Sequence, residues 1–339
     1  MDRGKLFMQN KIEVNIDKDP YFKAYVDMSF SYSIIRKDHV SFDNWMLSNM
    51  TQLCCSDKYD INFIKPTSYK SINLLDTIEL HYGVIDSEKT FHKYIIEFLQ
   101  NGYCLIIDID GFYIPNRRAY GKHHNFIHAN VIYGYTYEIN SYMVFGYNET
   151  GHLQGNEVPA SDIYKAYMTK LGVVPLFFLK QNSCDYKIDW YKFSTDLKNY
   201  CSGSPGYDLF RKDRVYGVNA MRMMIKVLDK MKTGEHRVDL RLLTLVYEHK
   251  KLMEHKVKIL LEKGLRFKYS NIMDKLEENK KDADFCRVML IKYSLQKKEN
   301  QIDFIQEKLE KIIKIEDVVF PIISEEVEKY KRHLMERFS

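Results

Sequence analysis

Apolar residues are spaced differently in the two parts of the chain. Early on, residues 24–35 and 88–99 carry apolar side chains three and four positions apart, which predicts two helices. Ser87 precedes the second of them as a helix cap. Short runs rich in Ile, Val, Tyr and Phe predict strands at residues 103–109, 127–135 and 142–147. Helices followed by a meander of strands predict an α+β fold.

Beyond residue 206 the pattern is helical almost throughout. The segment Ser-Gly-Ser-Pro-Gly at residues 202–206 is the strongest linker signal in the chain. We therefore predict a first domain over residues 1–205 and a helical, Lys-rich domain over residues 206–339. Helical spacing recurs at residues 218–231, 240–261, 272–294 and 302–313, and a final helix is predicted after Pro321.

The positive charge is concentrated in the helical part. Residues 211–339 contain 30 lysines and arginines against 22 acidic residues, whereas the preceding residues contain 21 against 24. A basic surface attracts an acidic partner, but the same composition is typical of solvated lysine-rich helices. This region is expected to cover a site, bind a partner or form a homodimer, and the sequence leaves the three options open.

Neither export nor a membrane span is predicted. The opening residues lack the apolar stretch of a secretory peptide, and no window approaches the roughly 18 apolar residues of a membrane span. The six cysteines have no C-x-x-C spacing, so we expect reduced thiols, a cytoplasmic protein and no structural zinc. The chain has no phosphate-binding glycine motif and no nucleic-acid module, so neither nucleic acid nor membrane is an expected partner.

The most informative residues surround a histidine at the start of a predicted strand. A strand ends at Asp108-Ile109-Asp110, a loop of aromatic and polar residues follows, and His128 opens the next strand. A histidine in such a place is able to act as general acid and base near neutral pH. A lone histidine entering an apolar strand is nevertheless more often structural. Together with His123 and His124 it has no recurrent zinc spacing, so no metal is expected.

This segment resembles the butirosin-type acyltransferases of antibiotic biosynthesis clusters. The resemblance rests on D-x-D-x-F-Y-I-P at residues 108–115, Ala119-Tyr120, and H-A-N-V-I-Y-G-Y at residues 128–135, and it is clearest over about residues 20–170. It implies a papain-like cysteine-peptidase fold, shared with bacteriocin-processing cysteine peptidases, followed here by a mostly helical C-terminal region. The amide synthase of closthioamide assembly is a similar, functionally nearer analogue.

The resemblance implies a catalytic set of cysteine, histidine and aspartate, of which this chain matches one. The family histidine falls on His128. The family nucleophile opens a helix about a hundred residues earlier, where this chain has Asp27. An aspartate lacks the thiolate that attacks a thioester. The family acid falls on Gly146, and Asn148 is close enough to replace it in holding the histidine, or else is a turn residue.

Three chemical mechanisms are compatible with this pattern. Asp27 and His128 form a non-covalent acid–base pair that deprotonates an attacking amine. Alternatively, Cys54, Cys55 or Ser29 supplies a nucleophile from another position. In the third case the site is degenerate and binds without reacting.

The resemblance implies an amide-forming acyltransferase that needs no cofactor. Its expected partners are an acyl or peptidyl carrier protein with a phosphopantetheine arm and an amine acceptor. Tyr113, Tyr120, Arg117 and Arg118 are the expected substrate-binding residues, the arginines contacting the arm or the carrier surface unless they are exposed loop charges. The alternatives are a catalytically inactive binding or scaffold protein of the same fold, and a cysteine peptidase.

Overall fold

The computed structural model describes residues 10–58, 60–64, 69–169, 175–206 and 211–338. The helices are α1 (Val26–Ile34), α2 (Phe42–Ser48), α3 (Glu88–Gln100), α4 (Ala160–Met168), α5 (Trp190–Ser202), α6 (Val218–Lys232), α7 (Leu240–Glu262), α8 (Ile272–Gln296) and α9 (Asn300–Phe338). The strands are β1 (Lys11–Glu13), β2 (Leu53–Ser56), β3 (Ile61–Phe63), β4 (Leu75–Leu80), β5 (Cys104–Asp110), β6 (Ile127–Thr136), β7 (Ser141–Tyr147), β8 (Leu153–Pro159), β9 (Leu176–Gln181) and β10 (Arg214–Tyr216). The chain is α+β with a helical C-terminal region, as predicted.

The chain divides into two compact units that are discontinuous in sequence. Unit 1 consists of Met1–Tyr21, Val26–His39 and Ile72–Cys184, and unit 2 consists of Phe22–Tyr25, Val40–Ser71 and Asp185–Ser339. This division does not follow the boundary predicted at residue 205. The physical reason is strand pairing, because β2 pairs with β10, about 160 positions along the chain, and both strands belong to unit 2.

Unit 1 is built on an antiparallel sheet of seven strands among the described residues. Its order is β4-β9-β5-β6-β7-β8, and β1 pairs with the far end of β6. The predicted helix at residues 88–99 is confirmed as α3, and the side chain of Ser87 accepts a hydrogen bond from the Thr90 amide, 3.2 Å away. The three predicted strands are confirmed as β5, β6 and β7.

The two faces of this sheet carry different helices. On one face, Phe91, Ile95 and Leu99 of α3 join Ile163 of α4 in one apolar core. Alternate residues of the strands contribute to that core: Leu105, Ile107, Ile109, Ile132 and Val144. On the other face lies α1, whose Phe30 ring has its centroid 6.4 Å from those of Phe145 and Tyr147. Because strand side chains alternate between faces, the position of any residue in β5–β7 determines which helix it meets.

Unit 2 combines a small antiparallel sheet with helices. The described residues form a sheet of order β10-β2-β3, and the helices α7, α8 and α9 pack against one another in sequence order. The apolar positions predicted for α6, α7 and α8 are confirmed by these helices, whose buried residues recur at helical spacing. The prediction of two separate helices on either side of Pro321 is wrong, because both segments belong to α9.

Pro321 lies inside the single long helix α9. A proline there removes one backbone hydrogen bond and crowds the preceding turn, at a cost of about 3 kcal/mol. Phe320 and Ile323 are fully buried beside it, and Val327 is buried one turn further on. The apolar packing continues through the proline and holds the helix together.

Candidate functional site

The loop between β5 and β6 is organised by a buried carboxylate. Asp110 is fully buried, and its Oδ1 accepts hydrogen bonds from the amides of Phe112 (3.1 Å) and Phe126 (3.2 Å). Its Oδ2 accepts another from the Asn125 amide at 2.9 Å. Charge-assisted bonds of this kind are among the stronger ones in proteins. One side chain therefore holds both ends of residues 111–126, which contain all four predicted substrate-binding residues.

His128 is exposed at the start of β6 and lies on the face of the sheet that carries α3 and α4. Its cross-strand partner is Ile109, a member of the apolar core on that face. Residues directly opposite one another in an antiparallel pair point to the same side. The imidazole stacks on the ring of Phe126, with centroids 5.7 Å apart.

Asp27 lies on the opposite face of the sheet. It is in the first turn of α1, and the pKa of its carboxyl is raised by burial and by the nearby carboxylate of Asp108. Asp108 alternates with the core residues Ile107 and Ile109 and so points towards α1. The sheet therefore separates Asp27 from His128, and the predicted acid–base pair between them is wrong.

Asn148 is a turn residue and does not orient the histidine. Its Oδ1 accepts hydrogen bonds from the Thr150 amide, the Thr150 hydroxyl and the His152 amide, at 2.8–3.0 Å. Its Nδ2 donates to Oε1 of Gln154 at 3.0 Å. Of the two roles considered from sequence, that of a turn residue is the correct one. Both the oxygen and the nitrogen of the Asn148 side chain form hydrogen bonds at the bend, so neither is directed at His128.

Two of the other proposed nucleophiles, Ser29 and Cys55, lie in environments that do not activate them, whereas the sulfur of Cys54 accepts a hydrogen bond from Nη1 of Arg214 at 3.5 Å. Ser29 is fully buried in α1, with its hydroxyl 2.6 Å from that of Tyr147. Cys54 and Cys55 are buried in β2 of unit 2, and burial raises the pKa of Cys55 to about 12. A thiol with so high a pKa is almost entirely protonated near neutral pH and is a poor nucleophile.

The predicted substrate-binding residues differ in how far their side chains are exposed to solvent. Tyr120 and Arg118 are exposed, and Tyr113 is half-buried with its ring edge-on to that of Phe112 at 5.1 Å. Arg117 differs from the rest because only 7% of it is exposed. Its Nε donates to Oδ1 of Asn130 at 3.1 Å.

Gly146, where the resemblance implies an acidic residue, has a packing role that the sequence did not indicate. A Cβ built there would lie 2.7 Å from Oδ1 of Asn130 and 2.9 Å from Nη2 of Arg117. Both distances are shorter than real Cβ contacts, so a larger residue would displace this pair. The glycine therefore makes room for a buried guanidinium, and only the spatial proximity of residues 117, 130 and 146 reveals it.

No metal site or membrane helix is found in the part of the chain that the structure describes. Within it, no group of three or more His, Cys, Asp or Glu side chains is placed to hold a metal ion. No helix there combines the length and the apolar character that crossing a bilayer requires. Comparison with known proteins adds no assignment, because no family model and no curated protein matches the chain. Any function must therefore be inferred from the residues themselves.

Proposed function

We propose that this chain is a binding protein with a papain-like first unit that holds the acyl-bearing arm of a carrier protein without transferring the acyl group. The observation that carries the proposal is the position of His128 and Asp27 on opposite faces of the sheet. General acid–base catalysis requires the two groups within hydrogen-bond reach of one reacting centre. Side chains separated by a sheet do not meet that requirement.

The environments of four cysteines support the same proposal. The family nucleophile position is an aspartate, and burial raises the pKa of Cys55, Cys201 and Cys286 to about 12 each. Burial also raises the pKa of Cys104 far above its ordinary value. These four thiols are therefore not activated for attack on a thioester.

The charge of unit 2 supports an acidic partner. Lys226, Lys292 and Lys314, on α6, α8 and α9, are exposed. Complementary charge mainly increases the association rate and selects the partner, and its effect decreases with salt. A carrier protein with an acidic surface fits this expectation.

We expect acyl-loaded carrier protein to bind in a salt-sensitive manner, and no amide to form when an amine is added. Calorimetric titration measures the affinity, and mass spectrometry of the same mixture detects any product. Changing Lys292 and Lys314 together to glutamate should weaken binding roughly tenfold. Lys89→Glu, an exposed lysine of α3 in unit 1, is the control and should change the affinity little.

His128→Ala should leave both binding and the absence of product unchanged. Amide formation that disappears in His128→Ala would contradict the proposal. Absence of any binding between the acyl-loaded carrier and the wild-type chain would contradict it as well.

A second candidate function is non-covalent amide formation with Asp27 as general base. The observation that favours it is the raised pKa of Asp27 beside Asp108, since a carboxylate of raised pKa is a better base once ionised. In that case Asp27→Asn should lower amide formation by about 10²-fold, the usual contribution of a general base. Asp162→Asn on α4 is the control, because Asp162 is half-buried at the surface and paired with Lys165 at 3.1 Å. Equal rates in wild type and Asp27→Asn would eliminate this candidate.

A further inference from the structure

Arg117 is a buried cation whose two terminal nitrogens have no partner among the described residues. The residue is 93% buried, since 7% of its surface is exposed. Its Nε donates to Asn130, but Nη1 and Nη2 make no hydrogen bond within the described residues. No carboxylate there forms an ion pair with it either. In the part of the chain that the structure describes, the guanidinium therefore has one neutral partner and no counter-charge.

Burying a charge in this way is strongly unfavourable unless something compensates it. Burial lowers the pKa of Arg117 to about 10, so the group remains positively charged near neutral pH. Arginine does not escape the cost by releasing its proton. Buried charges in folded proteins are normally paired with an opposite charge. An anionic ligand bound to Arg117 would supply the missing counter-charge.

The surroundings of Arg117 are arranged to hold this group in place. Asn130 is 99% buried, and its Nδ2 donates to the carbonyl of His128 at 3.1 Å, which directs its Oδ1 towards Arg117. Gly146 leaves the space that the guanidinium occupies. The three residues come from the loop, from β6 and from β7, so the arrangement depends on the fold and not on one flexible segment.

A second residue with an unpartnered polar atom, Asn156, is hydrogen-bonded to the same loop. Asn156 of β8 donates through Nδ2 to the carbonyl of Pro115, two positions before Arg117, at 3.3 Å. Its Oδ1 is buried and has no partner among the described residues. A ligand that carries a hydrogen-bond donor beside its anionic group would satisfy both Asn156 and Arg117.

We infer that Arg117, held by Asn130, is a binding site for the oxyanion of a ligand, either a carboxylate or a phosphate group. The planar guanidinium presents Nη1 and Nη2 for two parallel hydrogen bonds, which matches two oxygens of either group. Both nitrogens are closed to solvent in the structure, so binding of the ligand requires the side chains around Arg117 to move apart. This inference does not depend on the carrier-protein proposal.

Thermal unfolding of the full chain tests the site. Sodium acetate and inorganic phosphate are titrated against sodium chloride at equal ionic strength, which separates a carboxylate site from a phosphate site and both from general salt effects. A ligand of the native state raises the melting temperature in a saturable way. We expect at least one of the two anions to raise it by about 2 °C or more over the chloride control.

Two variants and one control locate the effect. Asn130→Asp places a carboxylate against Arg117 and should abolish the response, because the internal charge replaces the ligand. Arg117→Met should abolish it as well, and Asn130→Asp keeps the test decisive if Arg117→Met fails to fold. Arg118→Gln, the exposed neighbouring arginine, should respond like the wild type. An adventitious salt effect would appear equally in all variants, and that result, or no saturable response in the wild type, would overturn the inference.

Discussion

Lys250→Met is expected to destabilise the protein by about 3–5 kcal/mol, because it leaves a buried glutamate without its cation. Nζ of Lys250 lies 2.5 Å from Oε1 of Glu316, and neither side chain is more than 1% exposed. The same ammonium donates to the Tyr200 hydroxyl at 3.2 Å, and that hydroxyl donates to Oε2 of Glu316 at 2.9 Å. Urea unfolding at constant pH measures the loss.

The neighbouring histidine belongs to the same network. Nε2 of His249 lies 2.9 Å from the Thr51 carbonyl and therefore carries the proton, which leaves Nδ1 to accept a hydrogen bond from Lys250 at 3.1 Å. Burial and the adjacent Lys250 lower the pKa of His249 well below its ordinary value, consistent with a neutral ring. The network is thus one neutral histidine, one tyrosine and one ion pair inside unit 2.

A double variant separates the ion pair from its packing. Lys250→Met combined with Glu316→Leu removes both charges, and it should be less destabilised than Lys250→Met alone. Lys329→Met, which breaks an exposed pair with Glu325 on α9, is the control and should change the unfolding free energy little. A Lys250→Met variant as stable as Lys329→Met would show that the buried ion pair does not contribute to the stability of the fold.

Glu248→Gln is expected to remove a large pH dependence of stability. Glu248 is 97% buried and accepts hydrogen bonds from the amides of Lys23 (2.5 Å) and Ala24 (3.1 Å). Burial raises its pKa to about 8 despite these bonds. Between the ordinary value of 4.5 and about 8, the native state therefore holds a proton that the unfolded state has released.

The sign of the effect follows from proton binding. Because the native state binds more protons in this window, its free energy of unfolding falls as the pH rises, by at most about 1.4 kcal/mol per pH unit. Glutamine does not ionise. The stability of Glu248→Gln relative to wild type should thus improve from about pH 5 to about pH 8, by up to about 4 kcal/mol. Urea unfolding at several pH values measures the difference.

Glu254→Gln is the matched control, since it changes the same residue type on the same helix. Burial alone would raise the pKa of Glu254, but hydrogen bonds from Lys258 and Lys280 lower it below its ordinary value. The Glu254 carboxyl is then ionised in both the folded and the unfolded state above about pH 5. The difference in unfolding free energy between Glu254→Gln and wild type should therefore be constant from about pH 5 to about pH 8. A constant difference for Glu248→Gln as well would contradict the raised pKa of Glu248.

Local sequence signals were sufficient where the structure depends on neighbours along the chain. The cap at Ser87 and the apolar spacing of α6, α7 and α8 predicted helices whose ends agree with the structure within two residues. The alternating and β-branched runs likewise predicted β5, β6 and β7. In each case the determining interactions are between residues a few positions apart, so the sequence contains them directly.

The pairing of segments that are distant in the chain could not be predicted from local sequence signals. The small sheet joins the short neighbouring strands β2 and β3 to β10, which lies about 160 positions further along the chain. The linker signal at residues 202–206 suggested a boundary that the contacts do not follow. Pro321 predicted a helix end, whereas burial of Phe320 and Ile323 continues α9 through it. Tertiary packing overrode a local preference there.

The sequence by itself determined the residue types of the candidate site, the strand that begins near His128 and the aspartate where the resemblance implies a cysteine. Only the tertiary structure decided that His128 and Asp27 occupy opposite faces of the sheet and that Arg117 is buried while Arg118 is exposed. The physical reason is that alternation along a strand places residues on two faces, but which face meets which helix depends on contacts between distant residues. Burial of a loop arginine depends in the same way on the space left by Gly146 on a neighbouring strand.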